Sequence, residues 1–225
     1  MDQVQTFVLL APVLLLSMVA HEYAHGYAAL TQGDDTALKL GRLTWNPLRH
    51  IDPFMTVLLP IMTFYAGGFI FGGAKPVPVV PRNFRDFKRG DIIVSLAGVA
   101  ANAVLVVVLT LLIIPVGIIG KSMESLTGAA AIAQQMLRMG VFFNLILIFF
   151  NLLPIPPLDG SHVFKYLLPA GWRPGYEQIG RYGILILLAL LTVGREVLYT
   201  WMSPINTVLR FALDLVFPFM LPGIG

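Results

Sequence analysis

The chain contains no cysteine, which excludes disulfides and thiolate metal ligands. Any metal it binds must rest on nitrogen and oxygen donors. Charge is scarce too: Asp, Glu, Lys and Arg make up 12% of the 225 residues, about half the share usual in a soluble domain. The net charge of +3 is small and gathered in a few loops, and nothing in it points to nucleic acid. Internal repeats and low-complexity linkers are absent, so one membrane domain over 1–225 is expected. The first hydrophobic run has no basic leader and no cleavage site before His21, so it reads as a retained span and not a signal peptide.

Apolar residues are abundant, at 57% of the chain with a mean hydropathy of +0.80. Several uncharged runs reach 18 residues or more, the length a helix needs to cross a bilayer. The expected fold is an all-α polytopic membrane bundle of about five to six transmembrane helices. Core spans are expected over 4–31, 92–119 (kinked at Pro115) and 129–153, with C-terminal helices over 179–222. Pro53 to Phe71 is apolar but broken by Pro60 and by Gly67-Gly68. Residues 67–81 are rich in glycine, proline and β-branched side chains, which suits extended chain better than helix.

Basic residues set the orientation. Lys39, Arg42 and Arg49 lie in 32–52; Lys75, Arg82, Arg85, Lys88 and Arg89 in 75–89; Lys165, Arg173 and Arg181 in 161–181. The 120–128 and 195–204 loops carry only Lys121 and Arg195. The three basic segments are therefore expected in the cytoplasm and the N-terminus outside. With both flanks inside, 53–81 is expected to dip into the membrane and return as a re-entrant, partly β or loop element. Non-helical backbone at that depth must be buried in protein or line a water-filled cavity.

The first span contains His21-Glu22-Tyr23-Ala24-His25. On a helix, His21 and His25 lie one turn apart on one face, so two imidazoles can share one zinc ion. Glu22 beside them can act as general base toward a metal-bound water. Three ionisable groups inside a greasy helix are expensive, which favours a functional reading over a polar packing node. A catalytic zinc site commonly takes three protein ligands and leaves one position open. His50, His162 and Asp159 are candidates for the third. From Phe7 to His21 and from Met139 to Leu153 are each 14 residues, about 21 Å of helix, so Leu153 and His21 should share a depth. Asp159 follows Pro154, Pro156 and Pro157, where the chain can unwind and turn back. His50 and His162 fall in basic loops, where a solvated histidine is expected. Asp159 is the preferred ligand.

These motifs, His21-Glu22-x-x-His25 and Asn151-x-x-Pro154-x-Pro156-x-Leu158-Asp159-Gly160, resemble those of the site-2 protease family of intramembrane zinc metalloproteases. Gly41-Arg42-Leu43-Thr44-Trp45-Asn46-Pro47, Phe71-Gly72-Gly73-Ala74-Lys75-Pro76-Val77 and Ala97-Gly98-Val99-Ala100-Ala101-Asn102 also look like family segments. The last has Val99 where the family commonly has proline. Neither a PDZ nor a CBS domain is visible, so the chain resembles the compact members. The resemblance covers roughly residues 4 to 165. It implies one zinc per chain, ligands His21, His25 and Asp159, Glu22 as base, and Asn151 as the motif asparagine that binds substrate or oxyanion. It also implies a membrane-protein substrate with a transmembrane segment, held by strand addition on a re-entrant β element near Gly67, Gly68, Phe69, Phe71, Gly72 and Gly73. A multi-pass protein of the cell membrane is expected, its active site towards the cytoplasm. Two other classes stay open: a silent scaffold that holds membrane segments without cutting them, and an ion- or proton-coupled transporter, since intramembrane His, Glu and Asp also build proton relays.

Overall fold

A computed structural model describes residues 3–67 and 72–222. Among them the regular structure is entirely helical. In chain order the helices are α1 (Gln3–Gln32), α2 (Thr36–Lys39), α3 (Leu59–Gly67, entered through a wide π-type stretch Pro53–Leu58), α4 (Phe87–Ser122), α5 (Thr127–Asn151), α6 (Asp159–Phe164), α7 (Arg173–Ile179), α8 (Gly183–Thr192), α9 (Arg195–Met202) and α10 (Pro204–Val216). Three helices among the described residues, α1, α4 and α5, are long and apolar enough to cross a membrane. A fourth crossing is available if the segments 170–192 and 195–219, bent by 86° at their junction, act as one broken span. This multi-pass architecture matches the expected long spans within a few residues. The described residues contain no strand, so the β character expected in 53–81 is absent from them: 53–67 is helical and 72–80 is extended without a ladder. Prolines at 76, 78 and 81 explain the missing ladder, because each removes a backbone donor. Helix α4 continues through Pro115.

The chain separates into two compact units, residues 15–101 and residues 1–14 with 102–225. In the first, α1 ends where Gly33 takes a left-handed φ of 111°, the conformation a helix stop uses and only glycine adopts freely. The Gln32 carbonyl left open at that end accepts the Arg85 N–H at 2.9 Å. Asp34 follows, fully buried, and its carboxylate accepts from the Val80 N–H and the Asn83 amide, at 2.7 and 2.8 Å, and from Thr36. These bonds tie the extended segment before α4 to the end of α1. Ala28, Ala29, Phe84 and Val94 form a small core beside them.

Burial works to raise the Asp34 pKa. Hydrogen bonds from the Thr36 hydroxyl, the Val80 N–H and the Asn83 amide outweigh it and hold the group below its ordinary value. A depressed folded pKa means that the stabilisation is complete above the unfolded value of about 3.9 and is lost as pH falls through the folded one. Asp34→Asn should therefore destabilise the protein by about 1–3 kcal/mol at pH 7, the range for disrupting a buried hydrogen-bonded group. Thermal unfolding in detergent should show that gap closing below about pH 3.9; a gap independent of pH would contradict the assignment.

In the second unit Val106, Val141, Leu145, Ile205 and Ala212 bring α4, α5 and α10 around one core. Buried Gln134 donates to the Ile113 and Phe219 carbonyls and accepts from the Leu221 N–H, fixing the C-terminal segment to α4 and α5. After α5, the proline-rich turn folds back on the helix end. Gly160 lies so close that an added Cβ would collide with the Leu152 carbonyl oxygen.

Candidate metal centre

His21 and His25 lie on α1, and their Nε2 atoms are 3.0 Å apart. Two ligands about 2.0–2.1 Å from one tetrahedral ion stand roughly 3.3 Å apart, so the pair fits a single metal with little adjustment. His25 Nδ1 lies 2.7 Å from the Val94 carbonyl on α4. A carbonyl accepts only, so Nδ1 carries the proton and Nε2 presents its lone pair, the usual way an outer partner prepares a metal ligand. The floor of the pair is Gly98: a Cβ there would lie 2.5 Å from His21 Nε2 and 2.5 Å from His25 Nε2. Gly98→Ala should push the imidazoles apart and lower metal affinity by about tenfold or more, within the range for disturbed outer-shell support. Metal titration of the purified variant checks this, and wild-type affinity would contradict it.

Glu22 points to the extended segment before α4, where its Oε2 accepts the Val77 N–H at 2.7 Å. That segment is held along its length. The Lys75 N–H donates to the His50 carbonyl at 2.8 Å, and Arg42 Nη2 donates to the Lys75 and Pro76 carbonyls at 3.1 and 3.3 Å. His50 itself corrects the expectation of a solvated loop histidine. It is fully buried, with Nε2 2.8 Å from the Thr44 carbonyl, because it closes the 44–50 loop from within.

Asp159 and Asn151 belong to the other unit. Asp159 is the first residue of α6, half-buried, on the turn that folds back against Leu152. Asn151 is the last residue of α5, and its amide donates to the Leu147 carbonyl at 2.9 Å. His162 lies on α6, also half-buried. Of the residues expected to hold substrate, Gly68, Phe69 and Phe71 lie outside the described residues. Gly67 ends α3. Gly72 packs against Met55 and Pro60, where a Cβ would meet the Met55 carbonyl oxygen at 2.6 Å, and Gly73 faces open space. Nothing in the sequence signals Val94, and Val77 and Gly98 are marked only as members of segments that look like the family's, without their roles. Val94 and Val77 act through backbone groups and Gly98 through a missing side chain.

A family model described as peptidase family M50 matches residues 9–194. The chain belongs to peptidase family M50, the site-2 protease family. Similar proteins bear names of candidate zinc metalloproteases. YwhC of Bacillus subtilis is 38% identical over 192 residues, 84% of each chain. Rip2 of Mycolicibacterium smegmatis is 30% identical over 85% of this chain and 69% of its own. Rip2 of Mycobacterium tuberculosis (strain H37Rv) is 32% identical over 82% of this chain and 66% of its own. No solved structure matches.

Proposed function

We propose that this chain is a membrane-embedded zinc metalloendopeptidase that hydrolyses a peptide bond within or near a transmembrane segment of another membrane protein. The observation that carries this reading is the prepared imidazole pair, 3.0 Å between Nε2 atoms with His25 oriented by Val94, beside the Glu22 carboxylate. Family membership and the zinc in the relatives' names support that metal, one ion per chain. Asp159 is proposed as the third protein ligand. Its motif supports the role, as does its place on a proline-unwound turn where regular helix has ended.

When bound, zinc supplies a Lewis acid that polarises the scissile carbonyl and makes water more acidic. Glu22 takes a proton from the attacking water as the new C–O bond forms, then passes it to the amine nitrogen as the C–N bond breaks. Asn151 keeps a second amide N–H besides the one given to Leu147, suited to the substrate backbone or the developing oxyanion. Residues 67–73 are proposed to receive the unwound substrate, with open space on the side of Gly73 where a Cβ would stand. The reading is tested by measuring zinc content and cleavage of a membrane segment together in wild type and Glu22→Gln.

We further place 1–225 in one membrane domain of about five to six transmembrane helices with a re-entrant segment after the first. The active site is placed towards the cytoplasmic side of the cell membrane. The Gly73 N–H donates to the Met55 carbonyl at 3.0 Å, and the Thr56 hydroxyl to the Gly73 carbonyl at 2.7 Å. The chain thus returns to its point of departure, whereas a full crossing would part the ends by about 30 Å. This supports a re-entrant segment within 53–81. Single cysteines at Asp35 and Asn83 should both resist an impermeant thiol reagent outside intact cells. Labelling of position 83 alone would mean that the segment crosses.

A further inference from the structure

We propose that the backbone N–H of Val77 is the positioning group for Glu22, holding one carboxylate oxygen so that the other faces the reacting water. This rests on the reading of Glu22 as the general base. The contact is a charge-assisted hydrogen bond of 2.7 Å from a buried residue, Val77, to Glu22 Oε2. A glutamate has three rotatable side-chain bonds, and a base must stay within hydrogen-bond reach of the proton it takes. One oxygen fixed by an immobile donor restricts the other to a narrow arc.

The sequence around Val77 leaves little choice of register. Lys75-Pro76-Val77-Pro78 has prolines on both sides, so a slip of one residue in either direction would present Glu22 with a nitrogen that has no hydrogen. Residues before proline are also confined to extended conformations, which stiffens Lys75 and Val77. The segment is fixed on either side of the contact. Arg42 holds the Lys75 and Pro76 carbonyls, and Asp34 holds the Val80 N–H. Close approach to α1 depends on Gly26, where a Cβ would stand 2.9 Å from Val77 Cγ1. Tethers, prolines and glycine thus converge on a single donor. The same feature narrows where a substrate strand can add, since the N–H groups of Lys75, Val77 and Val80 are already committed within this unit.

Two substitutions separate the N–H from the side chain. Val77→Pro removes the donor at a position already extended before Pro78, and Val77→Ala keeps the donor while shortening the side chain. The assay uses the full chain in detergent with a quenched fluorescent transmembrane peptide that the wild type cuts. Val77→Pro should lose about 10- to 10²-fold in kcat with KM and zinc content unchanged, the scale expected for a misplaced catalytic group. Val77→Ala should retain most of kcat. Equal kcat for the two variants would overturn the proposal. A second measurement stands if Val77→Pro does not fold: hydrogen–deuterium exchange at the Val77 amide, in wild type and Glu22→Ala, each with and without zinc. Exchange should be faster in Glu22→Ala by about tenfold or more in both metal states, and unchanged exchange would overturn the contact. Wild-type cleavage by Glu22→Gln would instead remove the base reading while leaving the exchange result intact.

Discussion

Glu22→Gln should purify folded, hold about one zinc per chain, and cut at least 10²-fold more slowly than wild type, since general-base catalysis supplies about 10²–10⁴-fold. Glutamine has nearly the shape of glutamate and its carbonyl oxygen still accepts the Val77 N–H, so the local packing around α1 is kept. What disappears is the ability to take a proton from water and return it to the leaving amine. Zinc should remain because Glu22 is turned to Val77, whereas the two Nε2 atoms face each other. Metal analysis and kcat on the same preparation make the check. A variant that loses zinc in step with activity would mean that Glu22 is a ligand, not the base.

Asp159→Ala should lose stoichiometric zinc while the helices stay folded. Removing one of three protein ligands leaves two imidazoles, too few to hold the ion through purification. His21→Ala should behave alike. His50→Ala should keep its zinc and lose stability, because His50 is fully buried and bonded to the Thr44 carbonyl. His162→Ala should also keep zinc, which separates it from Asp159 on the same short helix. Metal content by mass spectrometry of the four proteins decides the ligand set. Full zinc in Asp159→Ala would end the assignment of Asp159.

The long spans and the histidine pair were legible from the sequence because both depend on local periodicity. Long, sparsely charged apolar stretches mark α1, α4 and α5, and helical spacing alone puts His21 and His25 on one face. The partners of that pair and of Glu22 were not legible. Val94 gives His25 a carbonyl, Val77 gives Glu22 an N–H and Gly98 leaves the histidines room by lacking a Cβ, none of which side-chain chemistry reveals. His50 was misjudged from its basic neighbours, although the loop folds over it. The β or loop character expected over 67–81 came from glycine, proline and β-branched content. Its described part, 72–80, is extended but unpaired where prolines alternate, and the apolar 53–67 before it is helical through Pro60.

The proposed cutting of membrane segments is tested most directly by reconstituting wild type and Glu22→Gln in vesicles with membrane proteins carrying single transmembrane segments, and mapping every new chain end by mass spectrometry. New ends within or near transmembrane segments should appear with zinc-loaded wild type and be missing with Glu22→Gln. The same ends from both proteins, or zinc-independent capture of segments with no new ends from either, would contradict the proposal.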